Sequence, residues 1–224
     1  MRSVARESVA GSWWRQTPHG SDPLWLASPP SSGRWQRGGT VAAIYFADEE
    51  STAWAEWYRL LAETALAPTH GMPRDIWRWT IAVGDVADLS TPTKLAEVDL
   101  PVPVPSRRSW APFQAVGEQL HYEGYRGVLY PSAARPDHQA LCLFRDGILV
   151  PGADPVRPPV THRDPPVFPT GMRTGAWAKH AETVFAYARM AWHTPGRGER
   201  KVLAWGRSEG HWALRIVTPM SKSR

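Results

Sequence analysis

The amino-acid sequence predicts an α+β fold in which mixed or antiparallel sheets are flanked by helices. The chain has 224 residues and is 42% hydrophobic, which is enough for one domain with a substantial core. Apolar runs of strand length and amphipathic segments of helical spacing occur without strict strand–helix alternation. A doubly wound parallel sheet requires that alternation, so the α+β class is favoured.

The N-terminal part predicts one short strand between irregular segments. Residues 1–12 are expected to be a loose terminus, residues 13–17 a strand, and residues 18–32, rich in Gly, Pro and Ser, a loop. The terminus MRSVARESVAGSWW lacks a continuous apolar segment, so we expect no secretory signal.

The segment from Val41 to Glu56 is the most informative part of the chain. Residues 41–47 form an apolar run typical of a buried strand, and Asp48 is a suitable cap for a helix over residues 48–66. Glu56 lies at the edge of the apolar face of that helix. A carboxylate there costs stability unless a partner satisfies it, so Glu56 is a candidate functional residue.

The rest of the chain predicts further strands and two helices. Apolar runs indicate strands over residues 76–84, 94–102, 125–132 and 140–144. Ser109 is a plausible cap for a helix through His121 that Gly124 ends.

The C-terminal part is predicted to form an extension. Residues 151–169 are dense in proline and indicate a linker or a long wrapping loop. An apolar stripe over residues 177–188 predicts a helix, and residues 201–217 predict a hairpin. We therefore expect a main domain over residues 13–150 and an extension over residues 151–224, packed on the same domain.

Composition argues against several functional classes. The net charge is +5, mostly from arginine, but no block of basic residues indicates direct nucleic-acid binding. No apolar run approaches the roughly 20 residues that span a membrane. The scattered histidines show no metal-ligand spacing, and neither GxGxxG nor a P-loop is present. Cys142, the single cysteine, lies in the apolar run ALCLF, which favours a buried thiol in a reducing, cytoplasmic protein.

Several short motifs occur in one order along the chain. They are WR at 14–15, GRW at 33–35, AIYFAD at 43–48 with Glu56 after it, FQAVG at 113–117 and GVLYPSAAR at 127–135. In this order and spacing they resemble the RES domain, a family named for its Arg, Glu and Ser, over residues 13–150. Gln36 stands where the family often has Asn after GRW.

The resemblance implies a bacterial toxin of a RES–Xre toxin–antitoxin pair. The family fold is similar to that of ADP-ribosyltransferase toxins, its substrate is NAD+, and its partner is an Xre-type antitoxin that carries the DNA-binding part. With NAD+ as the substrate we expect no other cofactor, and the scattered histidines predict no metal site. By motif position it implies catalytic roles for Glu56 and Arg15, and substrate-binding roles for the residues Arg34, Tyr45, Gln114 and Ser132.

These residue types suit the cleavage of a nicotinamide–ribose bond with water or phosphate as acceptor. Positive charge develops on the ribose in the transition state, and a fixed carboxylate stabilises it. Guanidinium groups suit the pyrophosphate. Two alternatives stay open: a mono-ADP-ribosyltransferase that modifies a protein, and a non-catalytic domain that binds a partner through its tryptophans. Each residue also has a purely structural interpretation; for Glu56 it is a helix-surface pair with Arg59. A homo-oligomer is compatible with the sequence.

Overall fold

The computed structural model describes most of the chain. The described residues are 4–25, 31–64, 66, 68–145, 147, 149–167, 169–173, 202–208 and 211–217. The chain divides into two compact units, residues 1–175 and 176–224, and each is described by itself.

The first unit is built on a mixed sheet of seven strands. In chain order they are β1 (Arg6–Pro18), β2 (Ala43–Ala47), β3 (Arg74–Asp88), β4 (Gly127–Pro131), β5 (Gln139–Phe144), β6 (Ala153–Pro155) and β7 (Val160–His162). The strand order is β1-β2-β5-β4-β3-β6, with β7 also on β3. Strands β3 and β4 are parallel, and the other pairs are antiparallel.

The strand pairings close into a ring. Strand β1 runs beside β3 along almost its whole length, from Arg6 opposite Ala87 to Pro18 opposite Arg74. It pairs with β2 at one position only, Trp14 opposite Ala47. Strand β2 instead pairs along its full length with β5. The position of β2, and of the helix that follows it, therefore depends mainly on β5.

Among the described residues, three α-helices flank the sheet: α1 (Glu50–Thr64), α2 (Pro92–Ala96) and α3 (Trp110–Tyr122). Two 3₁₀ helices, Pro68–Gly71 and Arg107–Ser109, precede β3 and α3. The mixed sheet with flanking helices confirms the predicted α+β class. No helix in the described ranges combines the length and apolar character that crossing a membrane requires.

The two faces of the strands build two separate apolar cores, as the alternation of side chains along a strand requires. On β2, Ile44 and Phe46 join one core, which includes Trp79 of β3. The alternate residues Ala43 and Tyr45 face the other core, which lies beneath α3. Neighbouring residues of β2 therefore contribute to different cores on the two sides of the sheet.

Helix α3 packs against the GRW segment at very close range. A Cβ atom on Gly117 would lie 2.0 Å from the carbonyl oxygen of Trp35, so only glycine fits there. The Trp35 ring, which is fully buried, meets the rings of Phe113 and Tyr130 edge to face at 5.3 and 5.1 Å. The FQAVG motif thus serves to hold the loop that carries Arg34.

Several sequence-based expectations hold and others are wrong at this level. The predicted strand over residues 41–47 and the helix over 48–66 are confirmed as β2 and α1. Asp48, however, does not cap α1; its carboxylate accepts the Gln139 N–H at 2.8 Å instead. Ser109 makes no side-chain capping bond to α3, because the 3₁₀ helix capped by Ser106 precedes it.

Two expectations failed because local composition did not reveal the neighbouring element. Residues 1–12 are not a loose terminus, since residues from Arg6 onward pair with β3. Residues 94–102 are not a strand. Thr91 accepts the N–H of Lys94, and Pro92 follows at the first helical position, so helix α2 forms there.

The proline-rich residues 151–169 add strands to the sheet. Strands β6 and β7 within this segment pair with β3, and the Tyr58 hydroxyl on α1 donates to the Pro166 carbonyl. The wrapping-loop interpretation is therefore correct, and the linker interpretation is wrong.

The second unit contains a two-stranded antiparallel hairpin, β8 (Val202–Ser208) and β9 (His211–Val217), as the sequence predicts. The predicted helix over residues 177–188 lies outside the described residues. The packing of the extension on the main domain stays a prediction.

Candidate active site

One cavity gathers most of the residues that the sequence singled out. It has a volume of about 830 Å³ and lies beside β1, β2, α1 and the loop of residues 31–36. Four of the six predicted site residues line it: Arg15, Arg34, Tyr45 and Glu56. A volume of this size suits a ligand as large as a dinucleotide.

Glu56 lies on α1 with its carboxylate held from both sides. Its Oε1 accepts the Ser132 hydroxyl at 2.7 Å and the Ala134 N–H at 3.2 Å. Its Oε2 accepts a hydrogen bond from Nε of Arg59 at 2.7 Å. The side chain is 27% exposed and lines the cavity, so it is anchored in the protein while still reaching the open space.

These contacts keep Glu56 ionised at neutral pH. Burial alone would raise the pKa of its carboxyl group. The charge of Arg59, the hydrogen bonds from Ser132 and Arg59, and the charge of Arg34 outweigh burial, so the pKa lies below its ordinary value. The site therefore offers a fixed negative charge.

Arg59 links Glu56 to a second carboxylate on α1. Its Nη1 donates to Glu63 Oε1 at 2.5 Å, and Glu63 Oε2 lies 3.5 Å from Nε of Arg107. The side chains of Arg59 and Glu63 are each 13% exposed. The row of alternating charges runs along one face of α1 from Glu56 to Glu63 and ends at Arg107 of the second 3₁₀ helix, whose own side chain is 54% exposed.

Arg34 is a buried cation with an unused donor. The residue is 5% exposed, and its Nη2 donates to the Val104 carbonyl at 2.8 Å. Its Nη1 is buried and has no hydrogen-bond partner among the described residues. Burial, followed by the nearby charge of Arg59, lowers the pKa of Arg34, whereas Tyr130 and Glu56 oppose that shift. A buried guanidinium N–H without a partner costs stability. The Arg34 side chain also lines the cavity, where an anionic ligand would offset the cost of burying its charge.

Tyr45 and Gln114 fix the loop that carries Arg34. The Tyr45 hydroxyl accepts the Trp35 N–H at 3.0 Å and donates to Oε1 of Gln36. Gln114 donates to the carbonyl of Gly33 at 2.9 Å and does not line the cavity. A Cβ atom on Gly33 would lie 2.3 Å from the Tyr45 hydroxyl, so the turn needs glycine.

Ser132 acts through Glu56 and is not among the residues that line the cavity. Its hydroxyl donates to Glu56 and accepts the N–H groups of Ala134 and Arg135 at 3.2 and 3.1 Å. The Arg135 guanidinium in turn binds the start of α1 at Ser51 and Thr52. The connection after β4 is thus tied to the helix that bears Glu56.

Arg15 lies apart from the Glu56 contacts. Its guanidinium donates to the carbonyls of Pro23 and Trp25 at 3.0 and 2.7 Å. Burial, with the positive charges of Arg145 and Arg74, lowers its pKa to about 10, against an opposing effect of Asp22. Arg15 stays charged at neutral pH.

Comparison with known proteins decides the family. The RES domain matches residues 12–167 of the chain. The chain belongs to the RES domain family. Among solved structures, a chain from the M. tuberculosis MbcT–MbcA toxin–antitoxin complex is similar, with a TM-score of 0.59 and 21% identity. The match covers 70% of this chain and 87% of that chain. No curated protein matches.

The RES match extends through the proline-rich segment to residue 167, in keeping with the strands that this segment adds to the sheet. Within this RES domain, the part of the chain that the structure describes contains no cluster of three or more His, Cys, Asp or Glu side chains able to hold a metal ion. Cys142 is fully buried on β5, and burial raises its pKa well above the ordinary value.

Sequence reasoning missed three residues of the RES domain cavity. The sequence indicates Arg59 only as a surface partner of Glu56, although its spacing three residues after Glu56 and four before Glu63 is a detectable ion-pair pattern. Gln36 stands out in the sequence only as a variation in the motif. Arg74 carries no local signal, because it reaches the cavity through the pairing of β3 with β1.

Proposed function

We propose that this RES domain is a toxin that degrades NAD+ by cleaving the bond between nicotinamide and ribose, with water or phosphate as the acceptor. The observation that carries the proposal is that the ionised Glu56 carboxylate and the Arg34 side chain, whose Nη1 has no partner among the described residues, line one cavity of about 830 Å³. A negative charge for the reacting sugar and a donor for a phosphate are the two groups that this reaction needs.

The chemistry assigns Glu56 the role of electrostatic stabiliser. When the nicotinamide leaves, positive charge builds on the ribose carbon that it leaves. Ser132, Ala134 and Arg59 hold the carboxylate in place before the reaction, so little reorganisation is needed at that moment. Its lowered pKa supports this role, because only the ionised form stabilises the cation.

Arg34 is suited to bind the pyrophosphate. The Arg34 side chain lines the cavity, and its Nη1 has no hydrogen-bond partner among the described residues, so a phosphate oxygen is a suitable acceptor for this guanidinium. The hydroxyl of Tyr45 is engaged by Trp35 and Gln36, so its contribution to substrate binding comes from the ring, which can stack on a base.

The matched complex supports a protein partner. Because the similar solved chain comes from a toxin–antitoxin complex, we propose that this chain is neutralised by an Xre-type antitoxin that covers the cavity. Trp25 and Leu66, which line the cavity and are 41% and 48% exposed, offer an apolar rim for such a partner.

The test is NAD+ consumption by the purified chain, compared between the wild type and Glu56→Gln. We expect Glu56→Gln to lower the rate by about 10²–10³-fold, as the loss of one preorganised electrostatic group does elsewhere. Glu97→Gln changes an exposed carboxylate away from the cavity and is the matched control. Equal rates for the wild type and Glu56→Gln would refute the assignment of Glu56.

The products distinguish the reaction classes. Free ADP-ribose or its phosphate ester identifies degradation with water or phosphate as acceptor. Transfer of adenine-labelled material to protein identifies a mono-ADP-ribosyltransferase. Absence of NAD+ consumption by the wild type, with antitoxin binding intact, identifies a non-catalytic binding domain.

A further inference from the structure

A short segment that lies beyond the RES match contacts the connection after β4. The segment comprises residues 169–173, and we call it the strap. The backbone N–H of Arg173 donates to the carbonyl of Ala134 at 2.6 Å. Nε of Arg135 donates to the carbonyl of Thr170 at 3.1 Å. The strap is therefore hydrogen-bonded to two consecutive residues of the connection that holds the candidate site.

Ala134 links the strap to Glu56 through its two backbone groups. Its carbonyl accepts the N–H of Arg173, and its own N–H donates to Oε1 of Glu56 at 3.2 Å. Ala134 is fully buried, so water does not reach this carbonyl, and its hydrogen-bond donor must come from the protein. The strap supplies that donor.

Arg135 provides a second link between the strap and the site. Its N–H donates to the hydroxyl of Ser132 at 3.1 Å, and its Nε binds the strap at Thr170. Its Nη1 donates to the hydroxyls of Ser51 and Thr52, at 2.6 and 3.0 Å, at the start of α1. The side chain is 12% exposed. One buried guanidinium thus joins the strap, the connection and the helix that bears Glu56.

The strap has a defined turn, and the chain before it is attached to α1. The N–H of Met172 donates to the carbonyl of Pro169 at 3.4 Å, and Gly171 has a φ of +74°. Glycine adopts this left-handed conformation without steric cost. The Tyr58 hydroxyl on α1 donates to the carbonyl of Pro166, three residues before the turn. The strap is therefore held at both of its ends.

We propose that the strap positions the Glu56 carboxylate by holding the connection after β4. The inference deepens the proposed function and rests on it for the reaction that Glu56 serves. It makes Thr170 and Arg173 positioning residues that act through their backbone groups, although they follow the RES match and no family motif marks them. Without the strap, the connection loses two hydrogen bonds, and the donors of Ser132 and Ala134 are less firmly directed at Glu56.

The other groups around Glu56 do not contact the strap. Arg59 on α1 and Arg34 on the loop of residues 31–36 lower the pKa of Glu56 by their charge, and Tyr130 on β4 lies close enough to interact with its carboxylate. These groups remain in any variant of the strap. A weaker hydrogen bond from Ser132 or Ala134 to the ionised carboxylate should therefore raise the pKa of Glu56 and move the acidic limb of kcat/KM to higher pH.

Two pairs of variants of the full chain test the proposal. Arg173→Pro removes the backbone N–H that Ala134 accepts, whereas Arg173→Ala removes the side chain and keeps that N–H. Gly171→Ala strains the turn of the strap. Gly147→Ala is its matched control, because Gly147 also has a positive φ, +63°, and an added Cβ would meet no atom within 4 Å at either position.

The first readout is amide hydrogen exchange at Ala134, measured by NMR. We expect exchange in Arg173→Pro and in Gly171→Ala to be faster than in the wild type by about fivefold or more, as the loss of a hydrogen bond implies. In the same two variants kcat for NAD+ should fall by about fivefold or more while KM stays within about threefold, because Glu56 acts in the transition state. Arg173→Ala and Gly147→Ala should stay within about threefold of the wild type in every measurement.

Unchanged Ala134 exchange in Arg173→Pro and Gly171→Ala would overturn the proposal, as would equal losses in Arg173→Pro and Arg173→Ala. A lower melting temperature with an unchanged acidic limb and kcat would also overturn it, since the strap would then be only structural. If Arg173→Pro does not fold, Gly171→Ala against Gly147→Ala decides. Amide exchange and carboxyl-carbon NMR of Glu56 need no turnover. A chain whose Glu56 responds to the strap but which leaves NAD+ intact would therefore refute the proposed function and not the strap.

Discussion

Ser132 illustrates how one small side chain can organise a candidate site that it does not face. Its hydroxyl donates to Glu56 and accepts two backbone N–H groups, from Ala134 and Arg135. It is 1% exposed, so water cannot replace it. The donor–acceptor chain fixes both the rotamer of the carboxylate and the shape of the connection after β4.

Replacement of Ser132 by alanine should therefore affect both stability and catalysis. We expect the free energy of unfolding to fall by about 1.5–3 kcal/mol, the range for buried hydrogen bonds to charged groups. NAD+ cleavage should fall as well, because one donor that keeps Glu56 ionised is lost. Chemical denaturation and rate measurements test this, with the exposed Ser8→Ala on β1 as control. A variant as stable and active as the wild type would contradict the role given to Ser132.

At the residue scale, the sequence predicted the members of the site better than their contacts. The order of the motifs singled out Arg15, Arg34, Tyr45 and Glu56, and all four line one cavity. Which guanidinium approaches which acid depends on strand pairing and helix rotation, and neither follows from motif order. Arg74 shows the limit, since only the pairing of β3 with β1 brings it to the cavity.

Helix α1 carries a charged row that governs the protonation of the site. Arg59 lies between Glu56 and Glu63 on one helix face, and all three side chains are largely buried. The pKa of Arg59 is raised above its ordinary value, because the two carboxylates outweigh burial. The row joins the geometry of the helix to the charge of the Glu56 carboxylate.

Arg59→Met should move the acidic limb of the kcat/KM profile to higher pH. In the wild type the lowered pKa of Glu56 keeps it ionised well below neutrality; without Arg59, burial dominates and the pKa rises. The free energy of unfolding should fall by about 3–5 kcal/mol, as when one partner of a buried ion pair is removed. Carboxyl-carbon NMR of Glu56 measures the same shift without turnover. An acidic limb at the wild-type position would argue against this role.

Helix α3 can pack against the Trp35 carbonyl only because Gly117 has no Cβ atom. Gly→Ala in a helix normally stabilises a protein by about 0.5–1 kcal/mol. At Gly117 we expect the opposite sign, a loss of about 1–3 kcal/mol, because the Cβ would press on the Trp35 carbonyl. Denaturation curves give the sign directly. A stabilised Gly117→Ala would show that the loop carrying Arg34 adjusts freely to the helix.

The elements that sequence reasoning placed correctly are those specified by neighbouring residues. Strand β2 and helix α1 follow from an apolar run and an amphipathic stripe. The errors have a common physical cause. Residues 6–12 and 151–167 have little apolar periodicity, and they become strands only because β3 offers both of its edges. For residues 94–102, the cap at Thr91 outweighed strand propensity.

The whole molecule should lose stability in acid through two buried aspartates. The pKa of each is lowered. Burial raises the pKa of Asp75, but the hydrogen bonds from His19 and Thr161 lower it by more. Burial likewise raises the pKa of Asp88, and the hydrogen bonds from Lys94 and Ser90 lower it by more. A lowered folded-state pKa adds stability above the unfolded value of about 4 and loses it as the pH falls through the folded value.

The contribution of these two aspartates to the melting temperature should therefore be nearly constant between about pH 5 and 7. At pH values below about 4 that contribution should be lost, and the melting temperature should decrease. Asp75→Asn should lower the plateau and flatten the acid-dependent part of the curve, because the substituted residue no longer titrates. Thermal melts across this range test the expectation. An acid slope unchanged in Asp75→Asn would show that other groups control acid unfolding.

The dependence of β2 on β5 has a consequence for protein synthesis. Because β2 meets β1 at one residue pair and β5 at five, the strand that leads into the Glu56 helix gains its lasting neighbour only after residue 144 has left the ribosome. Ser132 is also translated long after Glu56. A nascent chain cannot bring Glu56 and Ser132 together early in translation, so the candidate site is assembled only late in elongation.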